Sequence, residues 1–294
     1  MKNTVFTGVG TAIITPFAAD GVDYGALDRL LAFQLDKGVD AIVAAGTSGE
    51  GSTLTDQEHR ELIAFCADRI HGRVPLIAGT GSNDTAHAIA RTRAACDAGA
   101  DAVLLVTPYY NKTTQRGLIA HFRAIADESA VPCILYNVPS RTGLNMLPET
   151  VSALADHPRI AAVKEASGNI SQVAREILLC GDRLDVYSGN DDQTVPILSL
   201  GGRGVISVVS NVAPSEMAEL CRRFFAGDVR GAAELQLRLL NLMNQLMIET
   251  NPIPVKAACA ALGFGENRLR LPLVPMEAEN ERKLMALMKE AALL

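Results

Sequence analysis

Two kinds of hydrophobic pattern alternate along the chain. Short runs are apolar at nearly every position: Val9–Thr15, Ala41–Ala45, Leu76–Ala78, Ala102–Thr107, Cys133–Asn137, Ile160–Glu165, Asp185–Ser188 and Gly204–Val209. An uninterrupted apolar run of this length predicts a strand covered on both faces. Longer segments place apolar residues every three or four positions and predict helices. These are Tyr24–Lys37, Asp56–His71, Thr85–Ala98, Gln115–Glu128, Leu147–Ala155, Ile170–Cys180 and Thr194–Leu200. Strand starts recur at intervals of about 25–35 residues, the length of one βα unit. Gly38-Val39-Asp40-Ala41 and Gly99-Ala100-Asp101-Ala102 repeat one punctuation. A glycine ends a helix, an aspartate follows, and a buried strand begins.

About eight such units in series predict an α/β fold, a (β/α)8 TIM barrel. A doubly wound open sheet is the alternative, but no G-x-G-x-x-G follows the first strand. Beyond the eighth strand, Ser215–Phe225, Val229–Glu249, Pro254–Leu262 and Met276–Leu293 are further helical patterns. The expected division is a catalytic barrel over residues 1–225 and a C-terminal helical extension over 226–294. Leu237, Leu240, Met243 and Met247 recur at helical spacing and are expected to form a packing face.

One strand carries an anomaly. Lys164 lies in the apolar run Ile160-Ala161-Ala162-Val163-Lys164-Glu165-Ala166. Burial penalises the charged ammonium and favours the neutral, nucleophilic amine that Schiff-base chemistry uses. The plainer alternative is a lysine that snorkels to water or pairs with a carboxylate such as Glu165.

In a barrel the reacting groups gather at the C-terminal ends of the strands. Those ends carry Gly46-Thr47-Ser48-Gly49-Glu50-Gly51, Pro108-Tyr109-Tyr110-Asn111, Tyr136-Asn137-Val138-Pro139-Ser140-Arg141-Thr142-Gly143, Lys164, and Ser188-Gly189-Asn190-Asp191. Three of the chain's five tyrosines fall there. Arg141 at a barrel mouth is suited to fork a carboxylate. The Gly46–Gly51 loop lacks the G-K-[ST] ending of a phosphate loop.

Composition narrows the chemistry. Lys and Arg total 27 against 33 Asp and Glu, which argues against a nucleic-acid partner. The six cysteines are scattered without a C-x-x-C pair and are expected to be free, buried thiols. No His/Cys/Asp cluster has metal-ligand spacing, so no metal is expected. The strand-seven loop is acidic, which disfavours a phosphorylated substrate or pyridoxal phosphate, although Arg203 is nearby in sequence. No cofactor is expected. No apolar run reaches spanning length and no secretion signal opens the chain, so a soluble cytoplasmic protein is expected, with no membrane partner.

Taken in order, G-T-S-G-E, P-Y-Y-N, Y-N-V-P-S-R-T-G, V-K-E-A-S-G-N and G-G-R-G-V-I-S-V resemble the pyruvate-dependent class I aldolase family. That family includes dihydrodipicolinate synthase and N-acetylneuraminate lyase, and the resemblance runs from about Phe6 through the C-terminal helices. It implies that Lys164 forms an imine with pyruvate. Tyr136 would shuttle protons, relayed by Thr47 and Tyr110. Thr47 and Ser48 would bind the pyruvate carboxylate. The backbone carbonyls of Gly189 and Ile206 would line the floor. Arg141, in S-R-T-G, looks like the synthase arginine that receives the carboxylate of L-aspartate 4-semialdehyde. Ser48 stands where the synthase commonly has threonine, and the hydroxyl is kept. The resemblance also implies a homotetramer, a dimer of dimers in which Tyr110 is lent across an interface. The alternatives are a sugar-acid lyase of the same family, or a non-catalytic ligand-binding relative.

The resemblance further implies an effector cleft for lysine at Gly51, Ser52, Asp56, His59, Asn83, His87 and Tyr109. Asp56 replaces the histidine of lysine-sensitive bacterial members, and His87 replaces their glutamate. A histidine cannot supply a carboxylate's attraction for an ammonium. Feedback by lysine is therefore expected to be weak or absent.

Overall fold

The computed structural model describes residues 4–294. In chain order the strands are β1 (Gly8–Ala12), β2 (Phe17–Ala18), β3 (Gly21–Val22), β4 (Ala41–Ala44), β5 (Leu76–Gly79), β6 (Ala102–Val106), β7 (Cys133–Asn137), β8 (Ile160–Glu165), β9 (Asp185–Ser188) and β10 (Gly204–Ser207). The helices between them are α1 (Tyr24–Asp36), α2 (Asp56–Ile70), α3 (Thr85–Asp97), α4 (Gln115–Asp127), α5 (Pro139–Thr142), α6 (Pro148–Ala155), α7 (Ile170–Cys180) and α8 (Thr194–Ser199). Four more follow: α9 (Pro214–Phe225), α10 (Val229–Gln245), α11 (Ile253–Ala261) and α12 (Ala278–Glu290).

Eight parallel strands close a barrel in the order β1-β10-β9-β8-β7-β6-β5-β4, as the apolar runs predict. The repeated aspartates have a specific task. Asp40 takes a hydrogen bond from Val9 N at 2.8 Å and gives its own N–H to Val9 O. Asp101 does the same with Leu76 on the neighbouring strand. Each aspartate pins the start of one strand beside the start of the next.

β1 stops three residues before the apolar run does. Asn211 takes over there: its Nδ2 donates to Ala12 O and its Oδ1 accepts from Ile14 N. A side chain thus replaces the strand neighbour, while Val209–Asn211 form a 3-10 turn. The hairpin β2–β3 was not foreseen, its strands being only two residues each.

Alternation sorts β8 cleanly. Ala162 and Ala166 join the barrel's inner cluster with Tyr136, Tyr187 and Ile206, so Lys164 between them faces inward too. Glu165 turns to the helices, where Asn137 Nδ2 donates to it at 3.0 Å. Lys164 and Glu165 therefore cannot pair. Beneath Lys164 the barrel is filled by Phe6 stacked on Tyr187, ring centroids 4.3 Å apart, with Tyr187 Oη donating to Phe6 O at 2.6 Å.

The C-terminal helices share one apolar core with the barrel's outer layer. The packing face of α10 differs from the expected stripe. Leu235, Leu239, Leu242 and Met243 are buried, whereas Leu237 is 66% exposed. Several leucines at helical spacing allow two phases, and buried Gln236 fixes the phase by bonding Val195 N and Asp192 O. α10 also ends at Gln245, earlier than the pattern suggests. Residues 246–252 turn back over the barrel mouth.

Candidate active site

The register of β7 and β8 sets Tyr136 beside Lys164. Both side chains point inward at the C-terminal rim, and Lys164 Nζ lies 4.3 Å from the centroid of the Tyr136 ring. Lys164 is 5% exposed. Among the described residues its Nζ has neither a hydrogen-bond nor an ion-pair partner. Gly189 makes room for it: a Cβ there would sit 3.2 Å from Lys164 Cε and 2.7 Å from Ala166 Cβ.

Above the amine opens a cavity of about 930 Å³. Thr47, Ser48, Tyr136, Arg141, Lys164 and Gly189 all line it, as do Asn190 and residues 247–251 from the C-terminal segment. Ile206 is fully buried within the barrel and does not line the cavity. Tyr110 does not line it either. Its side chain is 92% exposed and its backbone takes a left-handed φ of 67°.

The Gly46–Gly51 loop is wound tightly enough to aim its hydroxyls. Gly51 N bonds Gly46 O, and a Cβ on Gly51 would lie 2.1 Å from Ala45 O. Ser48 is buried and its Oγ accepts from Asn251 Nδ2 at 3.1 Å. Glu50 anchors the loop from behind. Its carboxylate meets Lys256 Nζ at 2.5 Å, with both side chains at most 1% exposed. Its second oxygen accepts from Arg270 N at 2.9 Å. Arg270 goes on to Glu58, whose carboxyl it holds down to about 2, and Glu58 completes the capping box of α2 with Thr55. Burial pushes the Lys256 ammonium's pKa down, while the Glu50 charge opposes that.

Arg141 stands at the cavity mouth and donates from Nη2 to Asn251 O at 3.0 Å. Asp191 follows Asn190 in the β9 loop and does not itself line the cavity. Its Oδ2 accepts from Val208 N and Val209 N at 3.0 and 3.1 Å, tying the β9 loop to the end of β10. Burial raises the Asp191 pKa, and the Ser207 hydroxyl, those N–H groups and the Lys164 charge pull it back. Behind β8 lies a second buried acid. Glu176 on α7 is pushed up to about 10 by burial and by the Glu165 charge, so it keeps its proton. Burial also raises the thiols of Cys66, Cys133, Cys221 and Cys259 to about 12, which removes them as nucleophiles near neutral pH. Arg203 lies at the opposite barrel end, paired with Asp185 at 3.1 Å.

A smaller cleft of about 350 Å³ adjoins the cavity and shares Thr47, Tyr136, Arg141 and Asn251 with it. Gly51, Ser52, His87 and Tyr109 line this cleft. Asp56 does not; its Oδ1 accepts from Arg91 Nε at 2.9 Å and lies 3.0 Å from His87 Nε2. His59 is buried behind, its Nε2 2.8 Å from Gly79 O, and burial lowers its pKa. Asn83 stands apart, its carbonyl accepting from Asn111 Nδ2.

Glu50, Lys256, Asn251 and Asp191 carried no site role in the sequence reading. Lys256 had left a signal: it interrupts the apolar run Ile253-Pro254-Val255-Lys256-Ala257-Ala258-Cys259 much as Lys164 interrupts its own.

Comparison with known proteins shows the family. A model described as the dihydrodipicolinate synthetase family matches residues 5–291. The chain is 51% identical over 290 residues to a 4-hydroxy-tetrahydrodipicolinate synthase of Geobacter sulfurreducens, covering 99% of this chain and 100% of that protein. A crystal structure of dihydrodipicolinate synthase from Thermotoga maritima superposes with a TM-score of 0.97 at 44% identity, covering 99% of this chain and 100% of the other. A chloride-inhibited dihydrodipicolinate synthase from Acinetobacter baumannii, complexed with pyruvate, gives a TM-score of 0.96 at 42% identity, covering 99% and 100%.

Proposed function

Since the chain belongs to the dihydrodipicolinate synthetase family, we propose a residue-level mechanism for it in which Lys164 is the Schiff-base nucleophile. The enzyme is a class I aldolase-type lyase. It condenses pyruvate with L-aspartate 4-semialdehyde to give 4-hydroxy-tetrahydrodipicolinate, a step of lysine and diaminopimelate biosynthesis.

One observation carries the assignment: an unpaired, buried amine under a cavity whose far wall presents an arginine. Lys164 Nζ attacks C2 of pyruvate, and water leaves as the imine forms. The methyl carbon then gives up a proton, and the enamine attacks the aldehyde carbon of the second substrate. That oxygen takes a proton and becomes the hydroxyl. The amino nitrogen of the second substrate next bonds to C2, and the C2–Nζ bond breaks, freeing Lys164.

Tyr136, whose ring lies beside Nζ, moves the protons. A lone phenol is a poor base near neutral pH. A file of hydroxyls passes protons without any one staying ionised, and Thr47 and Tyr110 complete it. Thr47 and Ser48 hold the pyruvate carboxylate, with the backbone of Gly189 beneath. Arg141 holds the carboxylate of the aldehyde.

Tyr110 cannot serve its own cavity from an exposed position. It is lent to a neighbouring subunit in a cytoplasmic homotetramer. Mixed chains carrying Tyr110→Phe or Lys164→Ala, each inactive alone, then regain part of the activity; a fully active monomer in sedimentation would refute the sharing.

The mechanism is tested by incubating the enzyme with pyruvate, reducing with borohydride and mapping the mass gain. The gain is expected on Lys164. No gain, or a gain on another lysine, sinks the assignment.

A further inference from the structure

Asn251 joins the two substrate-binding ends of the cavity. It sits two residues before α11, in the segment that turns back over the barrel mouth. Its Nδ2 donates to Ser48 Oγ at 3.1 Å, and its backbone oxygen accepts from Arg141 Nη2 at 3.0 Å. Because Ser48 Oγ accepts in that bond, its own O–H is left to donate into the cavity. One residue therefore spans the hydroxyl assigned to the pyruvate carboxylate and the guanidinium assigned to the aldehyde's carboxylate.

The remaining polar atom is unmatched. Asn251 is 6% exposed, it lines the cavity, and its Oδ1 has no hydrogen-bond partner among the described residues. A buried acceptor without a donor is costly, and such groups usually mark a place where something comes to meet them. Segment 247–251 is otherwise firmly held. Glu249 Oε1 accepts from Glu277 N and Asn280 Nδ2, and Lys256 on α11, which follows, is pinned to Glu50. A rigid acceptor at a cavity wall is a recognition device.

We infer that Asn251 is a specificity-determining residue whose Oδ1 receives the α-ammonium of the second substrate. The inference rests on the placement of Arg141 and Ser48 given above. The two carboxylates would lie at opposite ends of Asn251, and the aldehyde's amino group is attached one carbon from its own carboxylate. In ring closure that nitrogen must reach C2 of pyruvate, which is one carbon from the other carboxylate. A donor bound between Arg141 and Ser48 is on that path. The residue thus selects an α-amino aldehyde over its deaminated analogue, succinate 4-semialdehyde, which offers the same carboxylate to Arg141 but no ammonium.

The test compares Asn251→Ala and Asn251→Asp with the unmodified enzyme. Steady-state rates give kcat/KM for L-aspartate 4-semialdehyde, and competition gives the inhibition constant of succinate 4-semialdehyde. Removing the side chain keeps the backbone carbonyl that holds Arg141. Asn251→Ala is expected to lower kcat/KM for the amino aldehyde at least tenfold and to weaken succinate 4-semialdehyde less than threefold. Asn251→Asp, which keeps an acceptor in the same place, is expected to retain the preference for the amino aldehyde. Equal losses on both aldehydes, or an Asn251→Asp enzyme that no longer prefers the amino aldehyde, would overturn the inference. Borohydride trapping of pyruvate on Lys164 in each variant separates this result from a failure of the mechanism itself. Adduct without discrimination refutes the role of Asn251 alone, whereas no adduct in the unmodified enzyme refutes the chemistry on which it rests.

Discussion

Lys164 and Lys256 are near twins in sequence and opposites in the fold. Each interrupts an apolar run, each is at most 5% exposed, and each lies over an aromatic ring, 4.3 Å from Tyr136 and 4.1 Å from Phe17. Lys256 has Glu50 at 2.5 Å, while Lys164 has no ion-pair partner among the described residues and faces a cavity. Burial alone thus does not make a lysine a nucleophile. The Lys256 ammonium is occupied by its carboxylate, whereas the Lys164 amine faces a cavity with room for a carbonyl to meet it.

The sharpest break of this comparison exchanges each lysine for methionine. Lys164→Met abolishes turnover and borohydride trapping. Its stability shifts by no more than about 1.5 kcal/mol, because the volume is nearly kept and no ion pair is broken. Lys256→Met leaves the Glu50 carboxylate buried without its cation and lowers stability by about 3–5 kcal/mol in urea titration. Glu50→Gln added to Lys256→Met recovers much of that loss. Equal stability losses from the two single exchanges would show that the lysines are not different in kind.

Among the described residues Arg141 holds a carbonyl of its own chain and no carboxylate. Arg141→Ala costs about 1.5–3 kcal/mol in kcat/KM for the aldehyde, the worth of one charge-assisted bond. Pyruvate adduct formation survives. An unchanged aldehyde dependence would reduce Arg141 to a rim cation.

The acids divide as the lysines do. Glu50 is buried with a cation; Glu176 is buried beside Glu165 and resolves its burial by keeping a proton, its pKa raised to about 10. A raised folded pKa makes a contribution that is full below the unfolded value and is lost as pH rises toward the folded one. Stability from this group therefore declines from about pH 4.5 toward pH 10. Glu176→Gln flattens that slope and costs little at acidic pH. A slope between pH 5.5 and 8.5 that does not change with the substitution would show that Glu176 ionises freely.

The smallest expected effect is at the adjoining cleft. Asp56 is already taken by Arg91 and His87, so it cannot replace the missing glutamate for a lysine ligand. Initial rates are expected to be unchanged by submillimolar L-lysine; strong inhibition there would mean that other contacts bind it.

What was legible in the sequence follows from the range of the forces involved. The barrel strands announced themselves because a strand covered on both faces must be apolar throughout, and β7, β8 and β9 fall where the pattern puts them. Lys164 and Tyr136 could be paired because strand ends converge in this fold. The Glu50–Lys256 bond joins residues 206 apart, and no local pattern encodes such a pairing. Asn251 was hidden for another reason. Helical periodicity ran on through Glu249, so the start of the turn that forms the cavity's outer wall was counted as helix, and Asn251 fell in the short gap before Pro254 with no pattern to place it.

The Phe6–Tyr187 stack closes the barrel below Lys164 and leaves the cavity mouth as the chamber's door. With the barrel filled below Lys164, whatever reaches the amine must enter past Arg141 and leave the same way. Traffic through a single door has an order. The smaller keto acid has to pass first and be tethered at the bottom before the aldehyde follows. The cyclised product must clear the doorway before another pyruvate can enter. Packing at the far end of the barrel, remote from any reacting atom, thereby sets the side from which both substrates come.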